Sequence, residues 1–412
     1  MNMGSKHSDT HLEIANSMSQ PEGDNKAPLI EASPYEWRDP VNIPKRPWIF
    51  GRWLLSGTVA CVVAPGGVGK STLLMSMALS LSSGRSFLGK AIFGDPKRVW
   101  LWNLEDDMDE LSRSLQAAAL HHGITYSDFE GRLFIDSAME GATLCTAVET
   151  KAGFELLEPI YEALTAELTR RKIDVLFVDP FVSSHAVEEN HNTKIDQIAK
   201  AWGRVAKAAN CCIVLVHHTS KAGSNEVSAM SARGAVALIN AARSTLVLNR
   251  MDSKIAADHG ISDDEVRRYI SVADDKHNRA PAEAADWFKL VPVDLGNGTS
   301  GNLDFGDSIA VVESFKLEKP SLEISDEDHN EILRVIAAGE WRDDIQAGAW
   351  VGKAFAEVLK VDLGDKRDKA TIKWMKAQWL KNGLLVVVEK SDKKRVKKKF
   401  VEVAKQEECA AP

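Results

Sequence analysis

The chain has 412 residues and a formal net charge of −8, with 44% hydrophobic and 27% charged residues. This length favours two or three domains, and the composition is typical of soluble globular proteins. No apolar run approaches the roughly 18 residues of a membrane helix, and the polar, acidic N-terminus is unlike a secretory signal. We therefore expect a cytoplasmic protein that has no membrane partner.

The first part of the chain divides into an arm and an α/β domain. Residues 1–35 lack hydrophobic periodicity and are rich in polar residues, Pro and Gly, which predicts a disordered arm. From residue 36 to 297, strand-length apolar runs alternate with helical patterns. The strand-like runs are TVACVVA (58–64), RVWLWNL (98–104), VLFVD (175–179), CCIVLVH (211–217) and STLVLN (244–249), and the helical patterns are 70–82, 107–122, 154–171 and 196–209. This alternation predicts one doubly wound domain with a twisted, mostly parallel sheet.

The C-terminal part has a different pattern. Residues 298–326 begin Gly-rich and end near Lys319-Pro320, which predicts a linker. Within residues 327–405, three helical patterns precede two strand-like runs joined by the polar turn SDKKR. The helical patterns are 327–338, 350–361 and 366–382, and the strand-like runs are LLVVVEK and KFVEV. Three helices closed by a hairpin are typical of a winged helix-turn-helix domain.

The charge of the chain is concentrated at this C-terminal end. Residues 364–400 contain thirteen lysines and arginines against four acidic residues. The lysines of the third helical pattern lie on the side opposite to its apolar residues, and they are Lys366, Lys369, Lys373 and Lys376. A basic helix followed by a basic hairpin favours duplex DNA as a partner. The alternative is the solvated face of a domain that docks on another protein.

The strongest motif is APGGVGKS at residues 64–71, which lies between a strand-like run and a helical pattern. Backbone N–H groups of such a loop surround phosphate oxygens, together with the N-terminus of the following helix. Lys70 is expected to neutralise the β- and γ-phosphates, and Ser71 to give its hydroxyl to Mg²⁺. The residues expected to bind the nucleotide here are Pro65, Gly66, Gly67, Val68, Gly69, Lys70, Ser71 and Thr72. The motif predicts ATP and Mg²⁺ as ligands.

Two carboxylates follow strand-like runs and have candidate roles in the same site. Asp179 ends VLFVD, where a carboxylate can hold Mg²⁺ opposite Ser71. Glu105 follows the run 98–104 and is a candidate general base for the attacking water. Each has a structural alternative. Asp179 could cap a helix, and Glu105 could belong to an acidic helical N-terminus that Asp107 caps.

Polar residues later in the domain complete the predicted site. His217 and His218 follow an apolar run and are candidate sensors of the γ-phosphate. A metal pair is the alternative, although successive strand residues face opposite ways. Arg243 is the candidate that stabilises the transition state, with Arg233 and Lys276 as further candidates. A surface arginine is the alternative for Arg243.

The motifs APGGVGKS, NLED, VLFVDP, VHHTSK and SARGAVALINAAR, in this order, resemble those of the RepA-type hexameric helicases of plasmids and phages, which are RecA-like P-loop ATPases. The resemblance covers about residues 36–280. It implies that Glu105 is the catalytic base, that His217 or His218 contacts the γ-phosphate side, and that Arg243 reaches the next subunit of a homo-hexamer. It also implies that loops 183–195 and 220–232 line a channel for single-stranded DNA.

The expected function is therefore that of an ATP-driven DNA motor of the replicative helicase type. The two channel loops contain few basic residues, Lys194 and Lys221, and Glu188 and Glu189 oppose them. Two alternatives remain: a RecA-like recombination or repair ATPase, and a winged-helix regulator or loader that ATP switches. A small-molecule kinase is disfavoured, because no segment resembles a substrate lid.

Overall fold

The computed structural model describes residues 32–151, 153–219, 236–277, 284–299, 305–317, 324–391 and 396–404. The chain forms two compact units, Met1–Arg46 and Pro47–Pro412. In the smaller unit, Asp39 caps a short 3₁₀ turn, Pro40–Asn42, and its carboxylate accepts the Val41 N–H at 2.9 Å. Most of the predicted arm, residues 1–31, lies outside the described residues.

The larger unit contains the strands and α-helices, which are numbered here in chain order. The strands are β1 Trp48–Phe50, β2 Leu54–Leu55, β3 Thr58–Pro65, β4 Val99–Asn103, β5 Leu133–Ser137, β6 Ala147–Thr150, β7 Gly153–Leu156, β8 Val175–Asp179, β9 Cys212–Thr219, β10 Ser244–Arg250, β11 Tyr269–His277, β12 Asp286–Asp294, β13 Ser308–Phe315, β14 Trp341–Arg342, β15 Leu385–Ser391 and β16 Lys397–Val403. The helices are α1 Lys70–Ser83, α2 Met108–His122, α3 Tyr126–Phe129, α4 Glu158–Arg171, α5 Asn192–Ala209, α6 Val236–Ala241, α7 Ser253–Asp258, α8 Asp326–Ala338, α9 Gly352–Leu359 and α10 Lys366–Lys381. In the described part of the chain, no helix has the length and apolar character needed to cross a bilayer.

Nine strands form one mixed sheet in the order β13-β12-β11-β10-β3-β9-β8-β4-β5. The six strands from β10 to β5 run parallel, whereas β11, β12 and β13 add an antiparallel edge. Helices lie between these strands in the sequence, as a parallel sheet requires. The predicted α/β architecture with a mostly parallel sheet is confirmed, and all five predicted strands are present.

Two segments differ from the sequence-based expectation. The helix predicted at 154–171 begins only at Glu158, because Pro159 is compatible with the first helical turn but not with a helix interior. The residues before it form β7, which pairs with β6. The segment predicted as a linker contains β13, which pairs with β12 along its whole length. Only Val311 and Val312 of β13 are buried, so its apolar pattern is weak.

Helices cover both faces of the parallel strands and create two cores. On one face, Leu73 and Met77 of α1 pack against Phe177 and Val214 of the sheet. On the other face, the side chains of α4, α5 and α6 pack against the alternate sheet residues, and Trp202 of α5 is fully buried there. Because successive strand residues face opposite ways, each strand contributes to both cores. The side chains of the last residues of each strand also point alternately to the two faces.

The C-terminal elements share a separate core. Helices α8, α9 and α10 pack with the antiparallel sheet β14-β16-β15 around Ile336, Phe355 and Trp379. The start of α10 lies against the α/β part, where Lys366 forms an ion pair with Asp263.

His122 ties the end of α2 to the antiparallel edge of the sheet. Its Nε2 lies 3.2 Å from the Val312 carbonyl oxygen, and its ring stacks on Phe87 with centroids 3.9 Å apart. Burial, followed by the charge of His121, lowers the pKa of His122 from 6.5 to about 4. The folded protein therefore favours neutral His122.

We expect His122 to reduce stability as the pH falls from 6.5 to about 4. In this window the unfolded chain binds a proton at His122 that the folded chain does not, whereas above it both forms are neutral. Urea unfolding of the native protein and of His122→Gln should show a stability difference that shrinks by on the order of 1 kcal/mol between about pH 7.5 and about pH 5. A stability difference between the native protein and His122→Gln that stays constant over this pH range would contradict the assignment.

Candidate functional site

The loop between β3 and α1 has a backbone that depends on glycine. Gly67 and Gly69 have φ angles of +71° and +104°, in the left-handed region where L side chains are strained. A Cβ on Gly69 would also lie 3.3 Å from Leu290 Cδ2. Gly69 is the N-cap of α1 and makes no side-chain cap bond, so N–H groups of the first turn remain available to a ligand. Such a helix start favours anionic groups.

Lys70 places its ammonium group inside this loop. The residue is only 4% exposed, and its Nζ donates to the carbonyl oxygens of Pro65 at 3.0 Å and Ala64 at 3.4 Å. Burial lowers the pKa of Lys70, and the charges of Asp179 and Glu105 oppose this effect. The loop thus holds one cation close to two carboxylates from different strand ends.

Ser71 and Asp179 are in direct contact. The Ser71 hydroxyl donates to Asp179 Oδ2 at 3.0 Å, although 108 residues separate the two in sequence. Asp179 is 4% exposed, and its other oxygen, Oδ1, is buried without a hydrogen-bond partner. A hydroxyl beside a carboxylate with a spare oxygen is a donor set that suits Mg²⁺, which takes few protein ligands and completes its shell with water and phosphate. The residues present therefore fit the implied Mg²⁺ ion.

The structure separates the two adjacent histidines. His218 lies on the α1 face of β9, and its Nε2 is 3.8 Å from Asp179 Oδ1. His217 lies on the opposite face, where its Nδ1 is 3.2 Å from Glu189 Oε1. Register pairs His218 with Ala64, at the start of the phosphate-loop motif. Only His218 therefore faces the site of Lys70 and Ser71, and the two imidazoles do not form a metal pair.

Glu105 stands on a turn that Asn103 organises, which the sequence analysis did not identify. The Asn103 side-chain oxygen accepts the N–H groups of Glu105 at 2.8 Å and Asp106 at 2.7 Å, and its Nδ2 donates to Asp106 Oδ2 at 3.0 Å. Asn103 is 2% exposed. Asp107 caps α2 by accepting the Glu110 N–H at 2.8 Å, as expected from the sequence. Asp107 is thus engaged in capping, whereas Glu105 is exposed toward solvent.

Arg243 does not join the site of its own chain. Its N–H donates to the Val59 carbonyl oxygen at 2.8 Å, near the start of β3. The phosphate loop follows the opposite end of that strand, about 20 Å away at the rise of a β-strand. Arg233 and the loop 220–232 lie outside the described residues. Lys276 is in β11, and its side chain is also outside the described part.

Arg250 is a second residue that the sequence analysis missed. It ends β10, and its Nη2 donates to the Gly67 carbonyl oxygen at 2.5 Å. The predicted strand stopped one residue earlier, at 249. The available signal was an arginine at the C-terminal end of β10, which pairs with β3, the strand that leads into the phosphate loop. The C-terminal ends of parallel strands share one edge of the sheet.

We expect Asn103 and Asp106 to act as a donor–acceptor pair. Asn103→Asp places two carboxylates in contact and should destabilise the protein by about 1–3 kcal/mol. Adding Asp106→Asn exchanges the two roles and should recover most of that loss, as measured by the urea midpoint. Additive effects of the two substitutions would show that the pair does not interact in this way.

Residues 27–224 match the family model described as an AAA domain. The matched segment includes the phosphate loop, Glu105, Asp179 and both His217 and His218, and it ends before Arg243. It covers just under half of the chain. This match supports a P-loop ATPase family for the α/β part of the protein, and with it nucleotide binding.

Proposed function

We propose that the protein is a RecA-like DNA motor of the replicative helicase type, which hydrolyses Mg-ATP at the interfaces of a homo-hexameric ring. The observation that carries this proposal is the convergence of four side chains that follow three strands, β3, β4 and β8. Lys70 and the Ser71–Asp179 pair lie at the phosphate loop, and the charge of Glu105 acts on Lys70. Side chains of these types around one phosphate loop are suited to phosphoryl transfer to water.

Each residue has a distinct task in the proposed hydrolysis. The loop N–H groups and Lys70 bind the β- and γ-phosphates. His218, whose Nε2 is 3.8 Å from Asp179 Oδ1, is proposed to sense the γ-phosphate. Ser71 and Asp179 would hold Mg²⁺, which would neutralise phosphate charge. Glu105 accepts a proton from the attacking water. The water oxygen bonds to the γ-phosphorus, and the bond between that phosphorus and the oxygen that bridges it to ADP breaks. Asn103 fixes the turn that presents Glu105.

Two arginines, Arg250 at the end of β10 and Arg243 just before its start, support the proposed assembly into a ring. Arg250 contacts the phosphate loop of its own chain, whereas the exposed Arg243 lies at the opposite edge of the sheet. A contribution of Arg243 to hydrolysis therefore requires the site of another subunit. Arg233 and Lys276 remain proposals for the same interface.

DNA is the proposed partner at two places. Single strands would contact loops 183–195 and 220–232 in the channel. In the first loop, Lys194 forms an ion pair with Glu149. This carboxylate partly neutralises Lys194, so the attraction of the loop for a DNA backbone is weaker. Few phosphate contacts are therefore expected from this loop.

The C-terminal elements are proposed to form a winged helix that binds duplex DNA. The order of three helices and a hairpin supports this, as does the exposure of Lys373, Lys397 and Lys399. Lys366 and Lys376 are instead in ion pairs with Asp263 and Asp343. The contact to duplex would therefore use the other lysines of α10 and the hairpin.

The first test compares ATP turnover with and without single-stranded DNA. Glu105→Gln should bind ATP but turn over at least about 10²-fold more slowly, because it lacks the general base. Lys70→Ala should lose ATP binding. Asp107→Asn is the matched control and should keep turnover within about twofold, since that carboxylate caps a helix.

Two results would change the proposal. Normal turnover by Glu105→Gln would remove Glu105 as the base. ATP hydrolysis that ignores single strands, together with duplex binding, would favour the ATP-switched regulator or loader over the motor.

A second test concerns the duplex contact. Lys397→Gln with Lys399→Gln should weaken duplex binding and reduce the slope of log affinity against log salt concentration by about two. Lys390→Gln is the control on the same hairpin, because Lys390 is in an ion pair with Glu402. An unchanged slope in the double variant would place the duplex contact elsewhere.

A further inference from the structure

Two buried histidines and one partly exposed carboxylate form a cluster on the face of the sheet opposite to Lys70 and Ser71. Glu189 approaches His217, and the Nδ1–Oε1 distance is 3.2 Å. His217 is 3% exposed, and the Glu189 side chain is 27% exposed. His185 is also buried, and its pKa is lowered by burial while the charge of Glu189 opposes that shift. Glu189 therefore contacts His217 and acts on His185 through its charge, and the proposed hydrolysis uses neither imidazole.

The segment that contains Glu189 leaves β8 directly after Asp179. Its first half is fastened to the β6 region, because the Ser184 carbonyl oxygen accepts the Thr146 N–H at 2.8 Å and the Ala186 N–H donates to Ala147 at 2.8 Å. The second half returns to the sheet, where Glu189 meets β9. Segment 180–191 thus begins at the Ser71–Asp179 pair and reaches β9 through Glu189.

β9 connects this contact to the nucleotide side. His217 and His218 are adjacent, and the rigid peptide between them joins the two faces of the sheet. Register pairs them with Val63 and Ala64 at the end of β3. A displacement of the His218 backbone would therefore also displace the His217 backbone.

Neither metal binding nor stability explains this cluster. Among the residues that the structure describes, no group of three His, Cys, Asp or Glu side chains could hold a metal ion. His217 Nε2 is buried without a hydrogen-bond partner. Glu189 Oε1 is likewise buried without a hydrogen-bond partner. Each buried polar atom of this kind costs free energy. The free-energy cost of these buried polar atoms indicates that His217 and Glu189 have a role in positioning rather than in stability.

We propose that Glu189 and His217 are positioning residues that pass the nucleotide state sensed at His218 to segment 180–191. This inference rests on the proposed function, because it takes the γ-phosphate side to be that of His218. His217 Nδ1 lies 3.2 Å from Glu189 Oε1, so movement of β9 would displace the second half of the segment through this contact. Its first half stays fastened to the β6 region.

Amide hydrogen exchange tests the link without DNA. Exchange would be measured with and without Mg²⁺ and a non-hydrolysable ATP analogue, in peptides that cover the phosphate loop and segment 181–191. In the native protein, the analogue should slow or speed exchange in 181–191 by at least about threefold. Glu189→Ala should abolish that response and keep protection of the phosphate loop.

Matched variants separate the contact from the charge. Glu188→Ala removes the neighbouring carboxylate, which is 80% exposed, and should respond like the native protein. His217→Asn keeps a polar group near the Nδ1 position, 3.2 Å from Glu189 Oε1, and should retain the response, whereas His217→Leu should lose it. This second pair keeps the test decisive if Glu189→Ala folds poorly.

The outcomes distinguish a failure of the proposed nucleotide site from a failure of the link through Glu189 and His217. If the analogue does not protect the native phosphate loop, the proposed nucleotide site fails, and the link fails with it. If the loop is protected but 181–191 does not respond, or responds equally in Glu189→Ala and His217→Leu, the link is overturned while the nucleotide site stands.

Discussion

The nucleotide site depends on one constraint. Side chains alternate between the two faces along parallel strands, and these strands end at one edge of the sheet. This alternation brings Asp179 from β8 and His218 from β9 to the face of α1, next to Ser71. The same alternation sends His217 to the other face, toward Glu189. A slip of one residue in the register of β9 would exchange the two histidines and place the wrong one beside Asp179.

Electrostatics adds a second requirement, because the site concentrates charge in a poorly hydrated place. Lys70 is buried, and Asp179 and Glu105 offset part of the cost of holding its charge there. Carbonyl oxygens of the loop satisfy the ammonium group. The loop is thus organised around a cation. Glycine at positions 67 and 69 keeps the curved backbone accessible.

The sequence predicts the parts of the fold that depend on local patterns. Long apolar runs bounded by turns identified the parallel strands, and the glycine-rich loop located Lys70 and Ser71. The sequence did not predict β13, because a partly exposed edge strand needs few apolar residues and only Val311 and Val312 of β13 are buried. Asn103 and Arg250 were missed for a related reason. Their contacts depend on turn geometry and on strand order, neither of which follows from spacing along the chain.

Strand β10 has an arginine at each end, and the two ends lie on opposite edges of the sheet. Arg250 contacts Gly67 of its own chain, and Arg243 precedes the strand at the far edge. An extended strand of this length is about 20 Å long and resists compression, since it is hydrogen-bonded on both sides. In a ring, β10 would therefore act as a strut between two neighbouring nucleotide sites. If the proposed ring forms, a displacement at one nucleotide site would then reach the next through a single rigid element.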